Sequence, residues 1–272
     1  MNNCRSDVSP LRIAALIILT AFGSLSGLPV TSGESAITLE GSIIQGGLVI
    51  GRTSAKSSVY LENRNLRVST DGFFVLGFHR DTKGPEELVV TLPGGNVESR
   101  ILKPEQRTYR EQRINGLPPK MVTPPKELSH RLKKERELLR KAWMTDSPET
   151  WFAEGFTWPA RGIITGVYGS RRILNGQPRQ PHYGIDIGAP SGTRVMAPCP
   201  GVVRLAESDL YYTGGTVIID HGHGVTSTLI HLKTILVKPG QRVAKWQMIG
   251  TVGSTGRATG PHLDWRINWF ER

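Results

Sequence analysis

Cysteine is nearly missing from this sequence: Cys4 and Cys199 are the two in 272 residues. Cys4 lies within a segment that has the marks of an export signal. Its removal would leave Cys199 alone, which excludes an internal disulfide framework. Cys199 sits among small and apolar residues, Ala197, Pro198, Pro200 and Gly201. It reads as a small buried hydrophobe, not as a nucleophile. After the first 26 residues no apolar run is long enough to span a bilayer. There is no internal repeat and no low-complexity tract. No block of Lys and Arg exceeds what one helix face holds, and no nucleic-acid motif has its spacing, so nucleic acid is not expected as a partner. Acidic residues are the scarcer sign, 23 against 34 Lys and Arg, for a net charge of +11. That excess favours an anionic partner such as anionic lipid or a polyanionic wall, or simply a soluble basic protein.

What is present first bears on compartment. Arg5 and Arg12 flank the start of an apolar run, 13–22, and Gly23, Ser24, Ser26 and Gly27 follow it. A positive start, a short apolar stretch and a small-residue exit describe a secretory signal over 1–26. The mature chain is then expected to begin near Gly27, in the periplasm or outside the cell, with no stable membrane span. An uncleaved anchor is the competing reading. No Cys follows the run, which argues against a lipoprotein anchor.

The length suits two modest domains. Residues 36–115 read as a β-rich domain, a small sandwich or barrel. Val59, Tyr60 and Leu61 face Leu66, Arg67 and Val68 across an expected loop at 62–65. Asp71-Gly72 is a turn before the apolar 73–76, and Pro93-Gly94-Gly95 closes 88–92. Residues 116–154 form a linker, framed by Pro118-Pro119 and Pro124-Pro125, with an amphipathic helix at about 126–143. Leu128, Leu132, Leu138, Leu139 and Ala142 supply its apolar stripe. The stripe packs on a neighbouring domain, or the basic face meets the wall. From 155 to 272 glycines and short apolar runs dominate, and an all-β domain is expected.

Five of the seven histidines fall in that last part: His182, His221, His223, His231 and His262. If the chain near His182 is extended, His182, Gly184 and Asp186 share one face, with Gly184 leaving space between two ligand types. The stretch 262–269 alternates cleanly. His262, Asp264, Arg266 and Asn268 share one side, and Leu263, Trp265, Ile267 and Trp269 the other. An imidazole and a carboxylate two apart on one strand face can reach one metal. The loop 253–260 before them is glycine-rich, which lets the backbone pass close to a cleft. It lacks the Gly-Lys-Ser/Thr ending of a phosphate loop. His221 is expected to support the fold near a glycine turn, His223 to be exposed, and His79 to be structural.

These segments resemble the lysostaphin-type, LytM-like zinc metallopeptidases that cleave peptidoglycan peptides. The likeness covers about 158–270. It rests on His182 with Asp186, on Gly184-Ile185-Asp186-Ile187 ahead of Ala189-Pro190-Ser191-Gly192-Thr193, on Leu229-Ile230-His231-Leu232, on Val237-Lys238-Pro239-Gly240-Gln241, and on Gly253-Ser254-Thr255-Gly256 leading to Gly260-Pro261-His262-Leu263. Residues 36–115 are similar, more loosely, to a β domain that precedes this peptidase in some Gram-negative members.

The resemblance implies an antiparallel all-β catalytic domain built as a duplicated hybrid motif, with Zn2+ as cofactor and peptidoglycan peptides as partner. It implies that His182 and Asp186 are zinc ligands. His231 and His262 match the two histidines that assist the attacking water and the transition state. The family's third ligand is a histidine at the place of Asp264, so Asp264 is the expected third ligand here and also the departure from the pattern. Two other functions remain in view: a LytM-like domain without catalysis that binds the wall or activates another hydrolase, and an unrelated basic β protein that binds wall polymer.

Overall fold

Short strands build most of the described chain, residues 36–272 of this computed structural model. The expected export signal at 1–26 lies outside those residues. In chain order the first strands are β1 (Thr38–Gly41), β2 (Leu48–Arg52), β3 (Ser58–Leu61), β4 (Arg64–Leu66), β5 (Phe73–Gly77), β6 (Glu86–Thr91) and β7 (Val97–Leu102). They form two sheets, β1-β2-β5 and β4-β3-β6-β7. Alternation drives the packing: in β6, Leu88 and Val90 are fully buried while Glu87 faces out. The β3–β4 loop is tighter than the sequence suggests. Leu61 pairs with Arg64, which leaves Glu62 and Asn63 as the turn. Glu62 takes a φ of +51°, the left-handed backbone that lets a two-residue turn match strand twist.

β8 (Glu111–Ile114) follows, then α1 (Pro119–Val122) and α2 (Ser129–Trp143). The expected helix starts three residues late. Lys126–Leu128 is a 3-10 turn, closed by the Leu128 N–H on the Pro125 carbonyl. Leu138, Leu139, Ala142 and Trp143 of α2 pack on Leu205, Leu210 and Ile218. The apolar stripe thus packs on the C-terminal sheet, and among the described residues no helix is long and apolar enough to cross a membrane.

The remaining strands are β9 (Ile163–Gly166), β10 (Arg171–Leu174), β11 (Gln177–Arg179), β12 (Ile185–Gly188), β13 (Arg194–Met196), β14 (Gly201–Leu210), β15 (Gly214–Gly222), β16 (Val225–Ile235), β17 (Arg242–Val243), β18 (Met248–Val252) and β19 (His262–Trp269). A nine-stranded sheet runs β17-β14-β15-β16-β19-β12-β9, with β13 and β18 attached. β8 pairs in parallel with β10, so the chain leaving the N-terminal sheets becomes part of the C-terminal assembly. The core of the large sheet holds Val195, Val203, Val217, Ile219, Leu229 and Leu263. A second cluster joins Phe74, Leu76 and Leu88 of the N-terminal sheets to Phe152, Val225 and Trp269. Cys199 is buried, donates to the Trp151 carbonyl at 3.1 Å, and burial pushes its thiol up to about 12.

Two histidines serve this framework. His223 is buried, not exposed as expected. Its ring centroid lies 5.1 Å from that of Phe152, and its backbone N–H donates to the Ser147 carbonyl. The segment after α2 covers it, and sequence spacing alone does not show that cover. His221 is fully buried. Its Nδ1 meets the Pro200 carbonyl at 2.6 Å and its Nε2 meets Ser227 Oγ at 2.8 Å. The carbonyl can only accept, so Nδ1 carries a proton. Burial lowers its pKa from 6.5 to about 4. A lowered folded-state value means that the unfolded chain binds the proton first. The stability is therefore present above pH 6.5 and lost as pH falls toward 4, by roughly 3 kcal/mol. Urea denaturation from pH 7 to 4 should show this slope, and His221→Gln should flatten it. An equal slope in both proteins would remove His221 as its source.

Candidate metal centre and its cleft

β12 and β19 run antiparallel with Asp186 directly opposite Asp264. This register puts both carboxylates on one face. His182 reaches them from outside the strand, because β12 begins only at Ile185. Its position is instead fixed by two backbone bonds, the His182 N–H to the Ser170 carbonyl and the Gly169 N–H to the His182 carbonyl. Gly184 does leave space, as expected: a Cβ there would lie 2.2 Å from Asp264 Oδ1 and 2.7 Å from Arg266 Cγ. His182 Nε2 stands 3.1 Å from Asp186 Oδ1 and 3.3 Å from Asp264 Oδ2. One ligand atom from each of the three lies within 4.8 Å of the others, and all three residues are buried.

His231 and His262 stand beside this group, with ring centroids 4.7 Å apart. His231 Nδ1 meets the Thr255 carbonyl at 2.8 Å, and His262 Nδ1 meets the Gly260 carbonyl at 2.9 Å. Both partners are acceptors, so each Nδ1 carries a proton, which leaves the lone pair of a neutral ring on Nε2. His262 Nε2 is 3.8 Å from Asp186 Oδ1. Burial pushes the His231 imidazole down to about 4, with the Asp264 charge working against it. His231 is therefore neutral at pH 7. It also sits at φ +67°, a left-handed conformation that costs a non-glycine residue about 1–2 kcal/mol and is concentrated at functional sites. Both histidines line a cleft of about 260 Å³ with Asp186, Arg172, Arg257 and the 258–261 loop.

Two arginines hold the carboxylates, Arg266 from the strand face where the sequence places it beside Asp264 and Arg172 from outside the expected site. Arg266 grips Asp264 with both ends, Nε to Oδ1 at 3.0 Å and Nη2 to Oδ2 at 2.6 Å. Arg172 Nη2 donates to Asp186 Oδ2 at 2.7 Å. Burial opposes ionisation of Asp264, yet Arg266 and His182 hold its carboxyl well below the usual range. Burial likewise works against charge on His182, but the carboxylates of Asp186 and Asp264 beside it raise its pKa. The Arg266–Asp264 pair was legible as two residues on one strand face. Arg172 had no such signal, because nothing in its spacing from Asp186 suggests that the β10–β11 hairpin turns it inward.

The residues fit a divalent cation on two observations. One imidazole nitrogen and two carboxylate oxygens are ordinary zinc donors. Asp186 Oδ1 is buried and makes no hydrogen bond, because its 3.1 Å approach to His182 is not aligned for one. A buried carboxylate oxygen is rarely left so. Against the fit stand the two guanidinium groups, which already neutralise both carboxylates.

A donor trio beside a pair of histidines offers the groups that metal-dependent hydrolysis uses. Residues 180–272 match peptidase family M23. The expected resemblance to lysostaphin-type peptidases is thereby borne out. Over 87 residues the chain is 44% identical to the peptidoglycan DD-endopeptidase ShyA of Vibrio cholerae serotype O1, which is 32% of this chain and 20% of that protein. Over 106 residues it is 43% identical to ShyC of the same organism, 38% of this chain and 24% of that protein. The chain thus spans about a quarter or less of these relatives' length. A crystal structure assigned to peptidase M23 from Pseudomonas aeruginosa aligns with a TM-score of 0.62 at 26% identity. That alignment covers 83% of this chain and 90% of the other.

Proposed function

We propose that the chain is a zinc-dependent endopeptidase that hydrolyses peptide crosslinks of peptidoglycan outside the cytoplasm. The observation that carries this is the convergence of His182 Nε2, Asp186 Oδ1 and Asp264 Oδ2 beside the His231–His262 pair. The substrate class comes from the relatives, which are named for peptidoglycan endopeptidase activity. The basic balance of the chain, +11, suits an anionic wall.

His182, Asp186 and Asp264 would hold the metal. When bound, zinc supplies a Lewis acid that acidifies water and polarises a carbonyl. The chain's own histidines move the protons. With the proton on Nδ1, the Nε2 of a neutral imidazole is an acceptor that can take a proton from the attacking water. Once protonated, that imidazole becomes a donor for the developing oxyanion or the leaving amine. The Thr255 and Gly260 carbonyls keep the rings in the one tautomer that makes this possible.

A second reading is a metal-free domain that binds the wall or activates another hydrolase. The Arg266–Asp264 and Arg172–Asp186 pairs favour it, since they balance the site's charge without an ion. Purified protein, dialysed and then measured for metal by mass spectrometry, separates the two. The peptidase reading expects about one zinc per chain and new uncrosslinked muropeptides in a murein digest. Neither zinc nor cleavage after zinc is added back would leave the second reading standing.

A further inference from the structure

Arginine is concentrated around the cleft beyond what its carboxylates can use. Arg172, Arg257 and His231 line both the cleft and an adjoining depression of about 260 Å³. Arg136 and Arg266 line that depression too. Of the nearby acids, Asp186 is held by Arg172 and Asp264 by Arg266. Glu135 is taken by Arg131 and by the Tyr211 N–H. Among the described residues Arg257 makes no ion pair with a carboxylate. Its guanidinium makes one long bond, Nη1 to the Met121 carbonyl at 3.5 Å, and stacks 4.6 Å from the centre of the Tyr212 ring. Arg172 lines the same cleft, with its Nη2 on Asp186 Oδ2. A half-buried guanidinium with a single long hydrogen bond has donors left to offer an anion.

We propose that Arg257 and Arg172 form a carboxylate subsite, which takes a free carboxylate of the peptide lying in the cleft. Guanidinium is planar and presents a fork of donors that matches a carboxylate with two parallel bonds. The Tyr212 ring fixes one face of Arg257, so the fork is oriented before the ligand arrives. The subsite borders the cleft that also holds His231 and His262, so a peptide anchored there by its carboxylate would be oriented for the same two histidines. It would favour peptides that end in, or carry, an ionised carboxyl over neutral ones of the same length. This inference rests on the peptidase reading for its ligand, a wall peptide, but its chemistry needs only the two arginines.

The test is binding, measured on the full chain by 1H–15N shift titration. The probes are N-acetyl-D-alanyl-D-alanine as the free acid and as its C-terminal amide. The acid should bind about tenfold or more tightly than the amide, the scale of one or two charge-assisted hydrogen bonds. Arg257→Gln should bring the two affinities together while leaving the amide unchanged, and Arg257→Lys should restore part of the difference. Equal binding of acid and amide to the unaltered chain overturns the subsite, as does a preference that survives Arg257→Gln. Binding of neither probe also overturns it. That comparison on the unaltered chain holds even where the variant fails to fold. Acid preference without zinc or murein cleavage would sink the peptidase reading and spare the subsite, and murein cleavage without acid preference would do the reverse.

Discussion

His262→Ala and His231→Ala should each keep zinc bound while turnover of crosslinked muropeptides falls by about two to four decades, the usual share of a positioned acid–base group. Neither imidazole belongs to the donor trio, and each spends its Nδ1 proton on a backbone carbonyl. What each substitution removes is a free Nε2 at the cleft. The two variants should differ in stability. His231 is buried, and His231→Ala would leave the Thr255 carbonyl unpaired inside the protein, at a cost of about 1–3 kcal/mol. His262 is partly exposed, its side chain 17% accessible, so its carbonyl partner can turn to water. Melting curves taken beside the kinetics separate that loss from the chemical one. His231→Gln, which can still donate to a carbonyl, should recover stability without recovering rate. Full turnover in either alanine variant would take that histidine out of the mechanism, and loss of zinc in either would move it into the metal site.

The position of His262 was legible because strand alternation is a local property, whereas His231 was picked out by the family resemblance. The 262–269 pattern puts His262 and Asp264 on one face whatever the strand pairs with, and β19 does so. The turn glycines and the apolar runs of β15 and β16 are local signals of the same kind. What escaped the sequence depends on register and on cover. His182 was expected inside a strand, but it is held to Ser170 and Gly169 by backbone bonds between segments. His223 was expected at the surface, and the chain at 147–152 buries it. Arg172 reaches Asp186 because one hairpin folds over the edge of the site, and Arg257 loses contact with acids because Tyr212 and the 116–122 segment surround it. None of these pairings has a period or a spacing. They also decide the electrostatics, so the part of the site hardest to foresee is the part that sets its metal affinity.

Asp264→Ala should lower zinc affinity by more than the roughly 10- to 100-fold that a lost supporting contact costs, because it removes one of three donors. Peptidase activity should vanish with the metal. The complication is Arg266, whose two bonds to the same carboxylate, 3.0 and 2.6 Å, would be lost as well. Alanine leaves that guanidinium unpaired with only 23% of its side chain accessible, so some loss of stability is expected beside the loss of metal. Asp264→Asn resolves the two effects. Its amide oxygen still accepts from Arg266 but is uncharged, so the fold should hold while zinc is lost. Arg266→Gln works in the opposite direction. A cation beside the ligand oxygen repels the metal, and in a site of intermediate dielectric a unit charge at 4 Å is worth about 4 kcal/mol before solvent screening at this partly open position reduces it. Removing it should tighten zinc by about tenfold or more, read by competition with a fluorescent chelator. Asp264→His, which restores the donor type of the related peptidases, should retain zinc and leave Arg266 without its partner. Wild-type zinc affinity in Asp264→Ala would show that Asp264 serves Arg266 alone. Unchanged or weaker zinc binding in Arg266→Gln would show that the guanidinium supports the ligand instead of competing with the metal.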